Sequence, residues 1–332
     1  MFARLREYVS IRRAVQIFFA IAVVYIGITF VIFIDQVTNN SIPVISRPPG
    51  VEAFLPISAL VGLKAWLATG AFDPVHPAGL VILLAALVVS LLFKRAFCSW
   101  ICPIGTLSEG LAMVGKRIFG RNFKIPKWLD YLLRSLKYII LFFFVIAIFF
   151  GMSGADAAAF VQTPYNMVSD VKMLKFIQHL GSFGMTVIGL LVLLSIFFEN
   201  FWCRYFCPYG GLLGLFSILS PFKVTRNQAT CIQCGKCTKS CPNHILVEQA
   251  DRVWSPECTG CLNCVQECPV EETLTFKAPK GQRSLSPKFL AFGVLGIWVL
   301  VIIIAKATGH WETNMTMEMY RRLLPMVDQI GQ

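Results

Sequence analysis

The 332-residue sequence predicts an all-α membrane bundle of about five transmembrane helices, built on an internal two-helix repeat, with a small α+β insert before the last helix. Three observations predict it. The chain is 56% hydrophobic and 14% charged with a mean hydropathy of +0.66, where a soluble domain carries about 25% charged residues. Long apolar runs recur at 15–34, 78–93, 138–152, 183–198 and 289–305. Eight of the twelve cysteines crowd into 231–268, a polar stretch between the fourth and fifth runs. The expected divisions are a membrane domain over 1–222, the insert over 223–280, and the fifth helix with its tail over 281–332.

The first apolar run follows Arg4, Arg6, Arg12 and Arg13, as a signal peptide would. It is longer than a usual signal h-region and no A-x-A site follows, so it is expected to remain as a helix. Some later runs fall short of the roughly 20 residues that span a bilayer. Their aromatic flanks, Phe97, Trp100, Phe201 and Trp202, are expected to complete or anchor them. One such run is as well explained by a buried helix of a soluble core, but five together are not. Placing the N-terminus in the cytoplasm puts 1–14, 94–137 and 201–288 inside, and these hold 23 of the 30 Lys and Arg residues. This positive-inside bias accounts for the net charge of +12 without a nucleic-acid partner. All twelve cysteines fall on the same side, where thiols stay reduced. The expected location is a bacterial inner membrane, with N-terminus and insert cytoplasmic and C-terminus extracytoplasmic.

The insert carries two runs of C-x2-C-x2-C-x3-C-P: Cys231, Cys234, Cys237, Cys241 with Pro242, then Cys258, Cys261, Cys264, Cys268 with Pro269. This is the ligand spacing of a bacterial-type ferredoxin holding two 4Fe-4S clusters, in which the fourth cysteine of each run serves the other cluster. The expected sets are Cys231, Cys234, Cys237 and Cys268 for one, and Cys258, Cys261, Cys264 and Cys241 for the other. Structural zinc also uses C-x2-C pairs, but it needs only two pairs per site and leaves the third cysteine and the C-x3-C-P ending unexplained. The segments 244–247 and 251–254, between the runs, are expected to form small strands.

The remaining cysteines form a second, repeated motif: Cys98-Ser-Trp-Ile-Cys102-Pro103-Ile-Gly105 and Cys203-Arg-Tyr-Phe-Cys207-Pro208-Tyr-Gly210. Upstream, Ser58, Leu63, Lys64 and Gly70 match Ser169, Leu174, Lys175 and Gly181, so a two-helix unit is duplicated. Cysteines at i and i+4 share a helix face, and the following proline suits a helix end and a new start. Three readings stay open for Cys98, Cys102, Cys203 and Cys207: a third metal centre, a dithiol relay, or packing cysteines.

On these motifs the chain resembles the polyferredoxin-type membrane iron–sulfur proteins. That family includes the quinol-dehydrogenase membrane subunit of periplasmic nitrate reduction, the membrane flavoprotein of nitrous-oxide respiration, and the copper reductase of cytochrome oxidase assembly. The likeness covers roughly residues 75–275, and the stretch Arg47-Pro-Pro-Gly-Val-Glu-Ala-Phe-Leu-Pro56 is similar too. It implies electron exchange between the quinone pool and a partner redox subunit (a cytochrome, ferredoxin or reductase). It also implies two alternatives: a copper-reducing assembly factor, and a non-catalytic maturation or sensory subunit. The chain is expected to lack the flavin-bearing extracytoplasmic domain of one member and the folded C-terminal domain of another.

Further candidates lie outside the cysteine motifs. Glu199, near a span end, is a candidate proton acceptor at a quinone site or a partner of Arg204. His76, beside an amphipathic segment at 53–69, and His179 are candidate quinone or haem residues. Met315, Met317 and Met319 are soft donors suited to copper(I), or apolar contacts of a short helix.

Overall fold

A computed structural model describes residues 2–39, 45–279 and 284–330; the boundary predicted at residue 280 lies outside them. In chain order the elements are α1 (Phe2–Thr38), a 3-10 turn (Pro49–Phe54), α2 (Pro56–Thr69), α3 (Pro77–Phe93), α4 (Ala96–Trp100), α5 (Pro103–Phe119) and α6 (Lys127–Phe149). They continue through α7 (Gly154–Val161), α8 (Pro164–Met167), α9 (Ser169–Gln178), α10 (Ser182–Phe197), α11 (Phe201–Tyr205) and α12 (Pro208–Ile218). The C-terminal part holds β1 (Lys223–Arg226), α13 (Lys236–Lys239), α14 (Asn263–Gln266), β2 (Leu274–Lys277), α15 (Pro287–Ala307) and α16 (Met317–Leu323).

The chain is a mostly helical membrane protein. Among the described residues three helices are long and apolar enough to span on their own: Ile11–Thr38 within α1, α6, and Lys288–Ala307 within α15. A fourth qualifies when α9 and α10, bent by 82°, count as one span. Their side chains identify the solvent they expect: Phe18, Tyr25, Phe143, Phe183 and Phe292 are all more than 60% exposed. Water would not support such contiguous apolar stripes. The expected span at 78–93 is the 17-residue α3. At 1.5 Å per residue it reaches about 25 Å against a hydrocarbon core of about 30 Å, and it is mostly buried rather than lipid-facing.

The chain divides into two compact units, and several helices contribute to both. One unit comprises Met1–Ala20, Ala86–Leu141 and Ile188–Trp298. Here the cysteine-rich segment shares its core with helix ends: Val224, Val253 and Phe276 join Phe93, Phe97, Trp100, Leu213 and Leu290 in one buried cluster. A segment of this size cannot bury a core alone, and these neighbours supply it. Its sheet is β1 antiparallel to β2, with Lys223 opposite Lys277 and Arg226 opposite Leu274. The strands therefore flank the cysteine runs. The expected strands between the runs are instead a 3-10 turn at Val247–Gln249 and a single bridge from Arg252 to Thr225, because β1 finds its full ladder partner in β2, beyond the second run.

The other unit comprises Ile21–Ala85, Phe142–Val187 and Val299–Gln332. Helix α2 packs along α7 and is buried on several sides, from Ser58 to Ala65. The amphipathic segment expected at 53–69 is mostly α2, which buries Ser58–Gly62, Lys64 and Ala65 and exposes Ile57 and Leu67. Lys64 donates to the carbonyls of Ile148 (2.8 Å), Phe149 (3.0 Å) and Met152, satisfying acceptors that the end of α6 leaves open. Arg47 pairs with Glu52 (2.6 Å) and Asp170 (2.8 Å), and Tyr320 donates to Asp170 (3.2 Å). This buried network explains the Arg and Glu of the Arg47–Pro56 stretch structurally: burial of such charges requires paired, hydrogen-bonded partners.

Candidate functional site

The cysteine-rich segment folds each run in the same way. The residues on either side of the middle cysteine, Gln233 and Gly235 in the first run and Gly260 and Leu262 in the second, all have positive φ (53°, 68°, 62° and 56°). One turn of helix follows in each, α13 carrying Cys237 and α14 carrying Cys264. Alternating left- and right-handed backbone turns successive N–H groups into a concave nest for an anionic centre. Gln233 and Leu262 hold this conformation without the freedom of glycine, which marks it as a demanded feature.

Two cavities result. Cys231, Cys234, Cys237 and Cys268 line one, and Cys241, Cys258, Cys261 and Cys264 line the other. In each cavity the fourth cysteine comes from the other run. Among the described residues no three His, Cys, Asp or Glu side chains approach closely enough to share a single ion; four thiols spread around a cavity suit a multi-iron cluster. Cys241 accepts from the Ile245 amide (3.4 Å). Burial pushes its thiol up to about 12, a cost that iron ligation would offset. The two sets differ in access: Cys234 is exposed and Cys231 and Cys268 are half-buried, whereas every member of the second set is buried. Solvent exposure is one determinant of cluster potential.

The C-x3-C-P repeat is equally plain in the backbone. Each copy has a long helix (α3, α10), a left-handed break (Lys94, φ 62°; Asn200, φ 57°), a five-residue helix carrying the first cysteine (α4, α11), and a proline-started helix (α5, α12). The second cysteine is the N-cap of that last helix in both copies. Cys207 accepts from the Gly210 amide at 3.3 Å, and helix N-termini favour thiolate. Cys203 lies within electrostatic reach of Cys207, Cys102 and Cys98, so the four converge. Burial pushes Cys98 to about 12 and Cys102 to about 11, opposite to what a reactive dithiol needs.

The two motif glycines are not equivalent. A Cβ on Gly105 would run into the Cys98 carbonyl, whereas on Gly210 it would meet only ordinary contacts of 3.5 Å or more. Gly105→Ala is therefore expected to cost about 1–3 kcal/mol through overpacking, while Gly210→Ala stays close to wild type. The rate of thermal bleaching of the purified holoprotein checks both; equal effects would contradict the asymmetry.

A buried ionic cluster joins the quartet to the second cysteine run. Arg95 donates to the Gly210 carbonyl (2.9 Å) and to the Glu257 carbonyl (2.8 Å) and carboxylate (3.3 Å). Lys137 donates to both Glu257 oxygens (2.7 and 2.6 Å), and Tyr138 adds a third bond (2.9 Å). Although burial works against its charge, Arg95, Lys137 and the bonded donors hold the Glu257 carboxyl down at about 2. Two cations against one carboxylate leave net positive charge beside Cys98 and Cys258. Lys94 donates to the carbonyls of Ser217, Trp254 and Ser255, and Arg12 to Cys261 O and Asn263 Oδ1. Lys137 and Glu257 were missed; the available signal was Lys137 itself, the last charge before the apolar run of α6.

The remaining predicted residues are dispersed. Arg204, named in one of the two alternatives offered as a role for Glu199, is buried and pairs with Asp130 (2.6 Å), which also accepts from Tyr205 (2.6 Å). Glu199 lines a cleft, and burial, then the neighbouring Glu109 charge, push its carboxyl up. His76 is buried with Nε2 against the Asn166 carbonyl (2.7 Å) and Nδ1 against Arg47 (3.4 Å), so both nitrogens are engaged within the ionic network. His179 caps the end of α9 and is exposed. Met315 is buried ahead of α16, and Met317 and Met319 sit two apart on that helix, where side chains do not face each other.

Comparison with known proteins agrees with this geometry. A family model described as "4Fe-4S binding domain" matches twice, at 75–124 and 180–227, and one described as "4Fe-4S dicluster domain" matches 223–269. Each copy of the former carries one cysteine pair. The Escherichia coli protein named "Putative electron transport protein YccM" is 43% identical over 98% of this chain and 93% of its own length. "Ferredoxin-type protein NapH" of the same organism is 25% identical over 63% of this chain and 73% of its own. "Regulatory protein NosR" of Pseudomonas aeruginosa is 29% identical over 52% of this chain, which spans only 23% of it. No solved structure matches significantly. With the membrane helices, the repeated motif and a relative matched almost end to end, the chain belongs to the polyferredoxin-type membrane 4Fe-4S proteins.

Proposed function

We propose that the protein carries electrons between the membrane quinone pool and a partner redox subunit through three 4Fe-4S clusters. Cys98, Cys102, Cys203 and Cys207 hold one, Cys241, Cys258, Cys261 and Cys264 the second, and Cys231, Cys234, Cys237 and Cys268 the third. Each cluster, when bound, supplies a one-electron step. The observation that carries the reading is the separation of the eight ferredoxin cysteines into a buried set and a more exposed one. Arg95 and Glu257 tie the buried set to the quartet. The exposed set then faces the partner and the quartet faces the bilayer, with the ferredoxin segment on the cytoplasmic side as the Lys and Arg distribution favours. Net positive charge at the Arg95–Lys137–Glu257 cluster stabilises the added electron between the two inner positions.

A short-chain quinol added anaerobically to oxidised protein in lipid nanodiscs is expected to bleach the visible cluster absorption, and the matching quinone to restore it after chemical reduction. Clusters indifferent to both reagents would remove the quinone pool as partner and leave a maturation or sensory role.

A further inference from the structure

A cleft of about 480 Å³ opens where two spans begin. Of its lining, Arg12 and Arg13 sit in the first turn of the span Ile11–Thr38, and Arg121 and Lys124 lie just ahead of the span Lys127–Phe149. Trp128 and Tyr131, 71% and 68% exposed in the first turns of that second helix, are residues of the kind that mark a membrane–water interface. A further wall is the cysteine-rich segment: Lys239 and Ser240 precede Cys241, and Asn263 and Gln266 bracket Cys264 on α14. The lining is charged, with one sign in excess. Arg13, Lys116, Arg121, Lys124 and Lys239 stand against Glu199 and Glu267, while Arg12 and Glu109 pair with each other. Apolar surface begins where this charge ends. One turn beyond Arg13, on the same face of α1, is Ile17, 56% exposed.

We propose that this cleft binds the headgroup of an anionic phospholipid, with its phosphodiester among Arg13, Arg121 and Lys124 and its acyl chains along α1 from Ile17. Basic pockets at the ends of membrane helices take phospholipid headgroups, and guanidinium forks match phosphate oxygens. A charged lining suits such a headgroup, which needs no apolar wall because the chains remain in the bilayer. A zwitterionic lipid brings an ammonium group into a basic cleft and is disfavoured. A folded acidic protein is too large for the cleft and would meet only its rim. The bound headgroup ties the turns that carry Cys241 and Cys264 to α1 and α5. A ligand of the folded state stabilises it, so the buried cysteine set opens more slowly when the lipid is present.

The test compares the holoprotein in phosphatidylcholine nanodiscs with and without phosphatidylglycerol. Native mass spectrometry counts the lipid retained after transfer to detergent, and thermal bleaching follows cluster loss. The expected result is retention of phosphatidylglycerol in preference to phosphatidylcholine, with slower bleaching when it is present. The double variant Arg121→Glu/Lys124→Glu, at two exposed positions, is expected to weaken retention about tenfold or more at unchanged iron and sulfide content. The charge-keeping variant Arg121→Lys/Lys124→Arg should hold the lipid as wild type does. Retention without preference for the anionic lipid would overturn the inference, as would a charge-reversed variant that retains phosphatidylglycerol normally. Equal protection by glycerol phosphate, the headgroup chemistry without chains, would reduce the cleft to a soluble-anion site and overturn it too. So would protection by polyglutamate, the probe for an acidic protein, with no phospholipid retained.

Discussion

Changing Cys98 and Cys203 to serine in one chain is expected to lower the iron content from about twelve to about eight atoms per chain, with acid-labile sulfide falling in parallel. The effect is all-or-none because the quartet is split between repeats. Each copy of the matched 4Fe-4S binding domain holds one pair, and the pairs converge only in the folded chain. Removing one cysteine from each leaves two thiols, too few for a cluster. The eight ferredoxin cysteines line cavities of their own and should keep their iron. EPR of the reduced protein should lose one signal and retain the interacting pair. Eight iron atoms in both proteins would sink the third cluster and leave the quartet as buried thiols.

Glu257→Gln should be the most damaging single change outside the cysteines. It leaves Arg95 and Lys137, 2% and 0% exposed, without their shared carboxylate. Removing one partner from a buried pair costs about 3–5 kcal/mol, and the depressed carboxyl of Glu257 is the same interaction seen from the other side. The rate of cluster loss at fixed temperature should rise steeply. Adding Lys137→Met to Glu257→Gln should recover part of the loss, since fewer uncompensated charges remain. The clusters that survive should show higher reduction potentials, because an anion beside them is gone. An unaltered rate of cluster loss in the single variant would show that the ionic cluster is not what holds the two motifs together.

Residues that act through spacing along the chain were legible in advance. The cysteine runs, the duplicated C-x3-C-P motif and the apolar stripe of α15 are all local patterns, and local patterns survive folding. Contacts between distant residues were not legible. Lys137 meets Glu257 across 120 positions and Arg95 meets it across 162, and nothing local announces either. Glu199 and Arg204 are five apart, yet Arg204 turns to Asp130. The strand positions were misread for a related reason: strand propensity favoured the apolar stretches between the runs, but the pairing partners lie on the two ends of the segment. The paired positive-φ residues in each run carried a visible trace in Gly235 and Gly260, while Gln233 and Leu262 carried none.

The shared core of the cysteine-rich segment sets the order of biosynthesis. Its floor includes Phe93 and Leu213, made before it, and its remaining wall includes Leu290, Ala291 and Val294 of α15, made after it. Until the ribosome has released that last helix, the shared core lacks a side, and a chain truncated before α15 is expected to leave it open.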